Sequence, residues 1–313
     1  MNIRKILYGV AVLAALALLA ACGDSFDPFS EITGPRLLAV RATPSTLAPG
    51  QTTELDALVV GAEAPILRWR WCPLIGGPST SFECLIDEDT VNDTLIGPSG
   101  PQVSYDLGEG PVVEFTHPLP GDSIGTVCEQ LAAVELPDQT STIDCSQGLP
   151  ISVVVDAQLD GRSVVAVKEV LLLEADESPF FGNRNPTVLG ISIRIDGELF
   201  ALDPDSPPAV EEDATRDFVA DIPEEASETF VDVDGTARER LIMSWFITAG
   251  ELDSERETFI DGERDFDEAR DVEWTAPPPG DALDGTIDVY VVVRDDRGGV
   301  NWAQGSVALE GPQ

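Results

Sequence analysis

Two ten-residue stretches decide the fold of this chain: VEFTHPLPGD at residues 113–122 and VEWTAPPPGD at residues 272–281, which are identical at seven of ten positions. Each stretch follows a strand-like run that contains tryptophan, ILRWRW at 66–71 and LIMSWF at 241–246. Each also precedes two valine-rich runs that are separated by a turn. Because the order and the chemistry agree at three places, the sequence predicts two homologous domains.

The runs around the repeat have the composition of β-strands. Residues 164–170 (VVAVKEV) and 286–293 (TIDVYVVV) are rich in β-branched side chains, which restrict χ1 and disfavour helices. Asp-Gly and Gly-Gly pairs mark turns between such runs. Two short windows, 127–134 and 267–270, are compatible with helix. We therefore predict an all-β protein.

The residues that open and close the two copies resemble known domains. Residues 37–44 (LLAVRATP), 47–51 (LAPGQ) and 53–59 (TELDALV), followed by the strand of Trp71, resemble a bacterial immunoglobulin-like (Ig-like) domain of the Big type. The run GTIDVYVVVRDDRG at 285–298 is similar to the last hairpin of PKD-type Ig-like domains. The resemblance implies two tandem Ig-like β-sandwiches, each with a core tryptophan on strand C.

The domain boundaries follow from these stretches. We place the first domain at 37–175, a linker at 176–185 and an acidic second domain at 186–313. Trp69 shares a strand face with one core tryptophan through the two-residue period of a strand, so it too is a candidate core residue. The tryptophans predicted to fill the cores, at positions taken as repeat-matched, are Trp71, Trp245 and Trp274.

The first 22 residues predict export and a lipid anchor. Two basic residues precede an apolar run at 6–21, which as a helix is shorter than the ~30 Å hydrocarbon core of a membrane. The run ends in Leu-Ala-Ala-Cys22, which resembles the lipobox of bacterial lipoproteins. The resemblance implies cleavage before Cys22, its acylation with palmitate-like chains, and attachment to the cell envelope. Gly23 at the next position favours the outer membrane, and an ordinary signal peptide is the alternative.

A polar segment separates this anchor from the first domain. Residues 23–36 (GDSFDPFSEITGPR) contain two prolines and show no helical or strand period. We predict a flexible tether that places the first domain roughly 20 Å from the lipid.

Four cysteines remain after Cys22, and an even number in an exported protein predicts two disulfides. Proximity in the sequence favours Cys72–Cys84 and Cys128–Cys145, although four cysteines allow other pairings. Each favoured pair lies in a stretch that is longer in the first copy than in the second, which supports local cross-links. A zinc site formed by all four cysteines is the alternative, although the chain contains no CxxC pair.

The charge balance excludes several functions. The chain has 313 residues, with 57 acidic and 18 basic side chains and a net charge of −39. Such a surface repels phosphate backbones, so we exclude nucleic acids as partners. The chain has only one histidine, His117, which excludes most catalytic triads and most metal-dependent hydrolases. His117 aligns with Ala276 beside prolines, and we expect it in a surface turn.

The acidic residues of the second copy raise the question of calcium. Between residues 196 and 273 there are 26 acids and six arginines, and hard carboxylate oxygens are the ligands that calcium prefers. No EF-hand spacing is present, so a solvated acidic face is the alternative. We predict no required cofactor, with calcium as an open possibility; the candidate ligands are Asp203, Asp205, Asp232 and Asp234.

No GxSxG, HExxH or P-loop motif occurs, and we expect no enzymatic activity. The favoured function is a lipid-anchored envelope module for binding, adhesion or spacing, with an envelope or extracellular protein or polysaccharide as partner. A calcium-stabilised, cadherin-like adhesion module is one alternative. A carbohydrate-active enzyme is another, and it would need paired acids in a cleft lined by exposed aromatic rings. Trp302, after the last predicted turn, is the candidate for such an exposed ring.

Overall fold

The structure is a computed structural model that describes residues 28–96, 102–119, 124–132, 145, 148–174, 183–232, 235–278 and 285–310. Its strands are β1 Arg36–Thr43, β2 Thr46–Leu47, β3 Thr52–Val60, β4 Ile66–Cys72, β5 Asp106–Glu109, β6 Val112–Thr116, β7 Leu149–Leu159, β8 Arg162–Leu172, β9 Gly190–Ile195, β10 Glu198–Ala201, β11 Ala209–Glu211, β12 Thr215–Asp221, β13 Thr229–Asp232, β14 Gly235–Arg238, β15 Leu241–Ile247, β16 Glu251–Leu252, β17 Arg256–Phe259, β18 Asp271–Thr275, β19 Thr286–Asp295 and β20 Val300–Glu310. Its helical segments are α1 Glu88–Thr90, a π-helical turn Val91–Ile96, α2 Ile124–Ala132 and α3 Phe266–Ala269, with 3-10 turns at Pro78–Thr80 and Glu224–Ala226.

Two β-sandwiches follow one another along the chain. The first consists of a sheet with strand order β1-β3-β6 and a sheet with order β2-β8-β7-β4-β5. The second consists of sheets with orders β10-β9-β12-β18-β16 and β11-β20-β19-β15-β17. In both, a short strand leaves the first sheet and pairs in parallel with the last strand, β2 with β8 and β11 with β20. The strand orders are equivalent, which confirms the predicted all-β fold of two tandem Ig-like sandwiches.

The quoted repeat occupies equivalent positions in the two sandwiches. A threonine hydroxyl pair links β3 with β6 and β12 with β18: Thr52 with Thr116 at 2.8 Å and Thr215 with Thr275 at 3.3 Å. At the next position of the repeat, the backbone N–H groups of His117 and Ala276 donate to the carbonyl groups of the residues directly before β3 and β12, at 2.9 Å in both copies. The identical residues of the repeat therefore maintain the same backbone pairing twice.

The strand register corrects one predicted equivalence. Trp69 lies opposite Val155, and Trp245 lies opposite Val291. These two valines are equivalent, because each lies at the same distance along its strand from the point where the parallel strand, β2 or β11, joins the sheet. Trp245 therefore corresponds to Trp69, whereas Trp71 corresponds to Ile247. Trp69 and Trp71 both face the core through the two-residue period, so the sequence alone did not distinguish them.

All four of these core tryptophans are buried. Trp69 and Trp71 are 1% and 2% exposed, and Trp245 and Trp274 are both fully buried. In the first core the indole N–H groups of Trp69 and Trp71 each donate to a backbone carbonyl at 2.8 Å. In the second core the rings of Phe218 and Trp274 stack with centroids 4.9 Å apart. Each sandwich therefore has its own aromatic core.

The two windows that the sequence marked as compatible with helix overlap α2 and α3, which begin at Ile124 and Phe266. No helix in the part of the chain that the structure describes has the length and apolar character needed to cross a membrane.

Candidate functional site: the seam between the sandwiches

A third apolar cluster joins the two sandwiches, and we call it the seam. Apart from Ile32, which precedes β1, its residues project from the outer face of the β1–β3 sheet and from the outer face of the β15–β19–β20 sheet. The buried residues of the seam are Ile32, Leu38, Ala39, Leu58, Val60, Phe246, Val292 and Val300, with Tyr290 and Trp302 packed against them. Because each sandwich contributes one sheet face, the four sheets form a stack of four layers spaced about 10 Å apart.

The side chains at the two ends of this stack differ from those of the seam. On the outer face of the first sandwich, Arg68 pairs with Glu109 at 2.6 Å, and both side chains are exposed. On the outer face of the second sandwich, Arg194 pairs with Asp217 at 3.1 Å and with Asp271 at 2.6 Å. Apolar side chains therefore point outward from the sandwiches where the two domains meet, and charged side chains project from the two faces that remain free.

The segment before the first sandwich binds to the second one. Glu31 forms a parallel bridge with Ile247, and the N–H of Ile32 donates to the carbonyl of Ile247 at 2.7 Å. The N–H of Ile247 donates in turn to the carbonyl of Ser30 at 2.9 Å. The prediction of a flexible tether at 23–36 is therefore wrong for residues 28–36, because β17 pairs only with residues 241–244 of β15 and leaves Ile247 to pair with residues 30–32.

An arginine fixes the shape of this N-terminal segment. The Arg36 guanidinium donates to the carbonyls of Phe29 and Glu31 at 2.7 and 2.9 Å, and it lies 5.2 Å from the centroid of the Phe29 ring. The same ring lies 5.5 Å from that of Phe246 in the second sandwich. Phe29 nevertheless remains 57% exposed. The segment is thus ordered by polar contacts and only partly covers its aromatic side chain.

The turn between β19 and β20 supplies the polar part of the seam. The ammonium of Lys168, on β8, donates to the carbonyl of Gly298, and the amide of Asn183 donates to the carbonyl of Arg297 at 3.0 Å. Asn185 joins both domains: its Nδ2 donates to the carbonyl of Ala42 at 3.0 Å, and its Oδ1 accepts from the N–H of Val300 at 2.9 Å. Both domains and the end of the predicted linker therefore meet at one turn.

Four charged side chains are buried around this turn. Glu239 is 0% exposed and accepts from Arg297 at 2.9 Å and from the N–H of Glu228 at 3.0 Å. Asp295 accepts from two backbone N–H groups of its own turn through Oδ1. Lys168 lies close enough to Asp295 for electrostatic attraction. Buried charges destabilise a fold unless hydrogen-bonding or oppositely charged groups stay close to them. The cluster therefore fixes the geometry of the turn that supplies these groups.

Burial shifts the pKa values of the charged groups in this cluster. Loss of water raises the pKa of Glu239 to about 7, and the nearby Asp295 carboxylate adds to the rise. Loss of water lowers the pKa of Lys168 to about 8, against the attraction of Asp295. Burial also raises the pKa of Asp295, although its backbone hydrogen bonds oppose that shift. The charges of the seam therefore depend on pH near neutrality.

Trp302 lies in the seam. The guanidinium of Arg41, from the first sandwich, stacks 4.2 Å from the centroid of the Trp302 ring. The same guanidinium binds Asp56 at 2.6 Å and Asn301 at 2.6 Å. The idea of an open sugar-stacking ring at Trp302 is therefore wrong, because an arginine of the other domain covers the ring.

The four cysteines form two disulfides, Cys72–Cys84 and Cys128–Cys145, with Cα atoms 5.5 and 6.2 Å apart. The pairing favoured by sequence proximity is the one observed. It excludes a zinc site made of four thiolates, because none of these sulfurs remains a thiolate.

His117 is 3% exposed, so the prediction of a surface turn residue is wrong. Its Nδ1 accepts from the N–H of Leu119 at 3.2 Å. Burial lowers the pKa of the imidazole below its usual value. The side chain points inward, where the second copy has Ala276, which is buried as well.

Several predicted site residues stay apart or outside the described part. Asp203 is exposed, and its carboxylate accepts from the N–H of Asp205 at 2.9 Å, as in a turn. Across the described ranges, no three His, Cys, Asp or Glu side chains are grouped so as to hold a metal ion. Cys22, Asp234 and the side chain of Asp232 lie outside the described residues.

The seam itself was not predicted, although the sequence carried a signal for it. Val291, Val292 and Val293 form an unbroken apolar run, whereas a strand with one solvent-exposed face alternates between apolar and polar residues. Phe246 breaks the alternation of β15 in the same way. Such runs indicate burial on both faces of a sheet, but they do not identify the second surface.

No family model matches the chain, and no curated protein matches its sequence. Solved structures share similarity with it over most of its length. The N-terminal Ig1-2 module of the Drosophila receptor protein tyrosine phosphatase DLAR is 9% identical, covers 89% of this chain and 100% of its own, and has a TM-score of 0.25. For the eight N-terminal Ig domains of Down Syndrome Cell Adhesion Molecule the identity is 13%, the coverage 90% and 26%, and the TM-score 0.21.

Salmonella alpha-2-macroglobulin reacted with methylamine is 14% identical, with coverage of 91% of this chain and 17% of its own, and a TM-score of 0.21. At these identities and TM-scores the likeness carries no argument. The fold assignment rests on the strand orders described above.

Proposed function

We propose that this chain is a lipid-anchored envelope protein that acts as a non-catalytic Ig-like binding or adhesion module, with its two sandwiches held as one body. The observation that carries the proposal is the seam. Eight buried apolar residues and the hydrogen bonds of one turn join the domains, and the N-terminal segment is bound to the second sandwich. A module of this kind presents fixed surfaces to a partner.

The chemistry of the side chains supports a role in binding. The large aromatic groups of the two cores are enclosed, and the outer faces of the stack carry arginine–carboxylate pairs. Charged outer faces select partners by electrostatic complementarity. With a net charge of −39, the partner we propose is a protein or polysaccharide of the envelope or the cell exterior that carries basic or hydrogen-bonding groups.

The lipid anchor is tested by expressing the full chain in a Gram-negative host beside Cys22→Ala. The wild type is expected in the membrane fraction, with an N-terminal peptide that begins at Cys22 and carries fatty acids. The C22A protein is expected to carry no fatty acid and to keep its uncleaved N-terminal segment. A wild-type protein that is cleaved elsewhere and bears no fatty acid would refute the anchor.

Binding is tested separately with the anchor-free domains, residues 28–313, immobilised at neutral pH. Envelope extract is passed over these domains and over a variant in which Glu109 and Asp217, the acidic partners on the two outer faces, are both changed to Lys. Capture of a defined component by the wild type, reduced by the charge reversal, supports a binding role for the outer faces. Equal capture by both proteins, or no capture by either, contradicts it.

A further inference from the structure

We infer that the edge of the seam carrying residues 28–32 faces the lipid bilayer, so that the four layers stand side by side along the membrane. This orientation rests on the proposed anchor at Cys22. It differs from the arrangement expected for a tandem array, in which the first domain lies next to the membrane and the second points away.

The segment between Cys22 and Pro28, which we call the leash, is short enough to restrict how the stack is oriented on the membrane. Six Cα–Cα steps separate Cys22 from Pro28, which is the first residue described. At no more than about 3.6 Å per residue, the acylated residue lies within about 22 Å of Pro28. Residues 30–32 are bound to Ile247 through two backbone hydrogen bonds. The point of attachment is therefore on the second sandwich, although the first sandwich comes earlier in the sequence.

The contacts of Ser30 locate this attachment on one edge of the stack. Its N–H and its hydroxyl both lie 3.3 Å from Oε1 of Glu255, which precedes β17 at the edge of its sheet. The segment runs parallel to β15 before it enters β1. The leash thus leaves the stack at the border between the second and third layers, close to the middle of the stack.

Phe29 gives this edge the chemistry of a membrane interface. Its ring is 57% exposed and is fixed between Arg36 and Phe246. In segments that lie at a membrane surface, Phe, Trp and Leu side chains bury their apolar area at the boundary between headgroups and acyl chains. An exposed phenyl ring within one residue of the leash would reach that level first.

The outer faces of the stack have the opposite character. Arg68 and Glu109 on one end, and Arg194 with Asp217 and Asp271 on the other, form paired charges with no exposed aromatic side chain among them. The two outer sheets are separated by about 30 Å, since stacked sheets lie about 10 Å apart. A leash that begins at the seam keeps both outer faces of the stack off the bilayer surface, so that a partner has access to them.

The test uses the full, acylated chain in phosphatidylethanolamine–phosphatidylglycerol vesicles that contain lipids with a headgroup-level nitroxide quencher. Single cysteines are introduced by Arg256→Cys beside the leash, Arg68→Cys on one end of the stack and Glu273→Cys on the other, and each is labelled with bimane. The native cysteines outside the anchor are in disulfides, so the added thiol reacts selectively. Ser254→Cys replaces R256C if that variant does not fold.

We expect at least twofold stronger quenching at R256C than at R68C and E273C. A matched protein with twenty Gly/Ser residues inserted after Asp24 keeps every contact of the fold and lengthens the leash, so its three labels are expected to be quenched equally. Equal quenching of the three labels without the insertion, or stronger quenching at either end, overturns the inference. A wild-type protein that does not float with the vesicles instead refutes the proposed anchor.

Discussion

The backbone of Ile32, which precedes the first sandwich, is hydrogen-bonded at 2.7 Å to that of Ile247 in the second sandwich. This contact spans the whole first domain in the sequence. Ile247 is itself the last residue of β15, and its side chain lies in the second core. The start of the chain and the core strand of the second domain are therefore joined directly, and both domains are expected to unfold together.

Truncation of the central aromatic residue of the seam is expected to uncouple the unfolding of the two domains. Phe246 is 2% exposed, and removing a buried phenyl ring costs about 3–5 kcal/mol. We predict that Phe246→Ala lowers the midpoint of chemical unfolding and splits one transition into two. Phe200→Ala, at a ring that is 42% exposed, is the matched control and is expected to change little. A single unshifted transition in F246A would contradict a structural role for the seam.

The buried Glu239 is expected to make stability fall as the pH rises. Its folded pKa is raised to about 7, so between the unfolded pKa of about 4.3 and pH 7 the folded state binds more protons than the unfolded state. Glu239→Gln removes this titration. We therefore expect the free energy of unfolding of the wild type, measured relative to E239Q by urea titration, to decrease from pH 5 to pH 7.5. A constant difference between the two proteins would refute the buried titration.

His117 is expected to act in the opposite direction. Burial lowers its folded pKa below the usual value of about 6.5, so the stability from the neutral imidazole is complete above that pH. It is lost as the pH falls through the folded pKa, because the unfolded state then binds more protons. His117→Ala copies the equivalent Ala276. The wild type is expected to lose stability more steeply than H117A below pH 6.5, and parallel urea-midpoint curves would show that the imidazole is not protected.

The sandwiches themselves were predictable, because local patterns repeat twice. The repeated VE-aromatic-T motif contributes one threonine of each hydroxyl pair, Thr116 and Thr275. The disulfides also followed from sequence proximity. Contacts between the domains are different in kind, since Arg41 meets Trp302 across more than two hundred residues. Nothing in either local pattern specifies such a partner. His117 shows the same limit, because its neighbours suggest a turn but do not set the side chain's direction.

Removal of a disulfide by substitution is expected to destabilise the first sandwich. Cys72–Cys84 and Cys128–Cys145 close loops with sequence separations of 12 and 17, each worth about 3 kcal/mol in the chain-entropy account. We predict that Cys72→Ala/Cys84→Ala lowers the free energy of unfolding by about 2–4 kcal/mol. The single substitution Ser254→Ala, in the second sandwich, serves as the unaffected reference. Unfolding at the wild-type midpoint would show that the loop is held by other contacts.

Calcium is expected to leave the fold unchanged. Asp203 and Asp205 interact as a turn, and in the described ranges no three carboxylates converge on one point. A thermal melt of the chain with 5 mM calcium, beside one with 5 mM EDTA, should give the same midpoint. A rise with calcium of several degrees would restore the cadherin-like alternative.

Small-angle X-ray scattering of residues 28–313 tests the stack of four sheets most directly. If the seam joins the sandwiches into one body, the radius of gyration is about 19 Å, as expected for a single globular unit of this length. Sandwiches arranged end to end would give a clearly larger radius and two separated maxima in the distance distribution, and that result would contradict the seam.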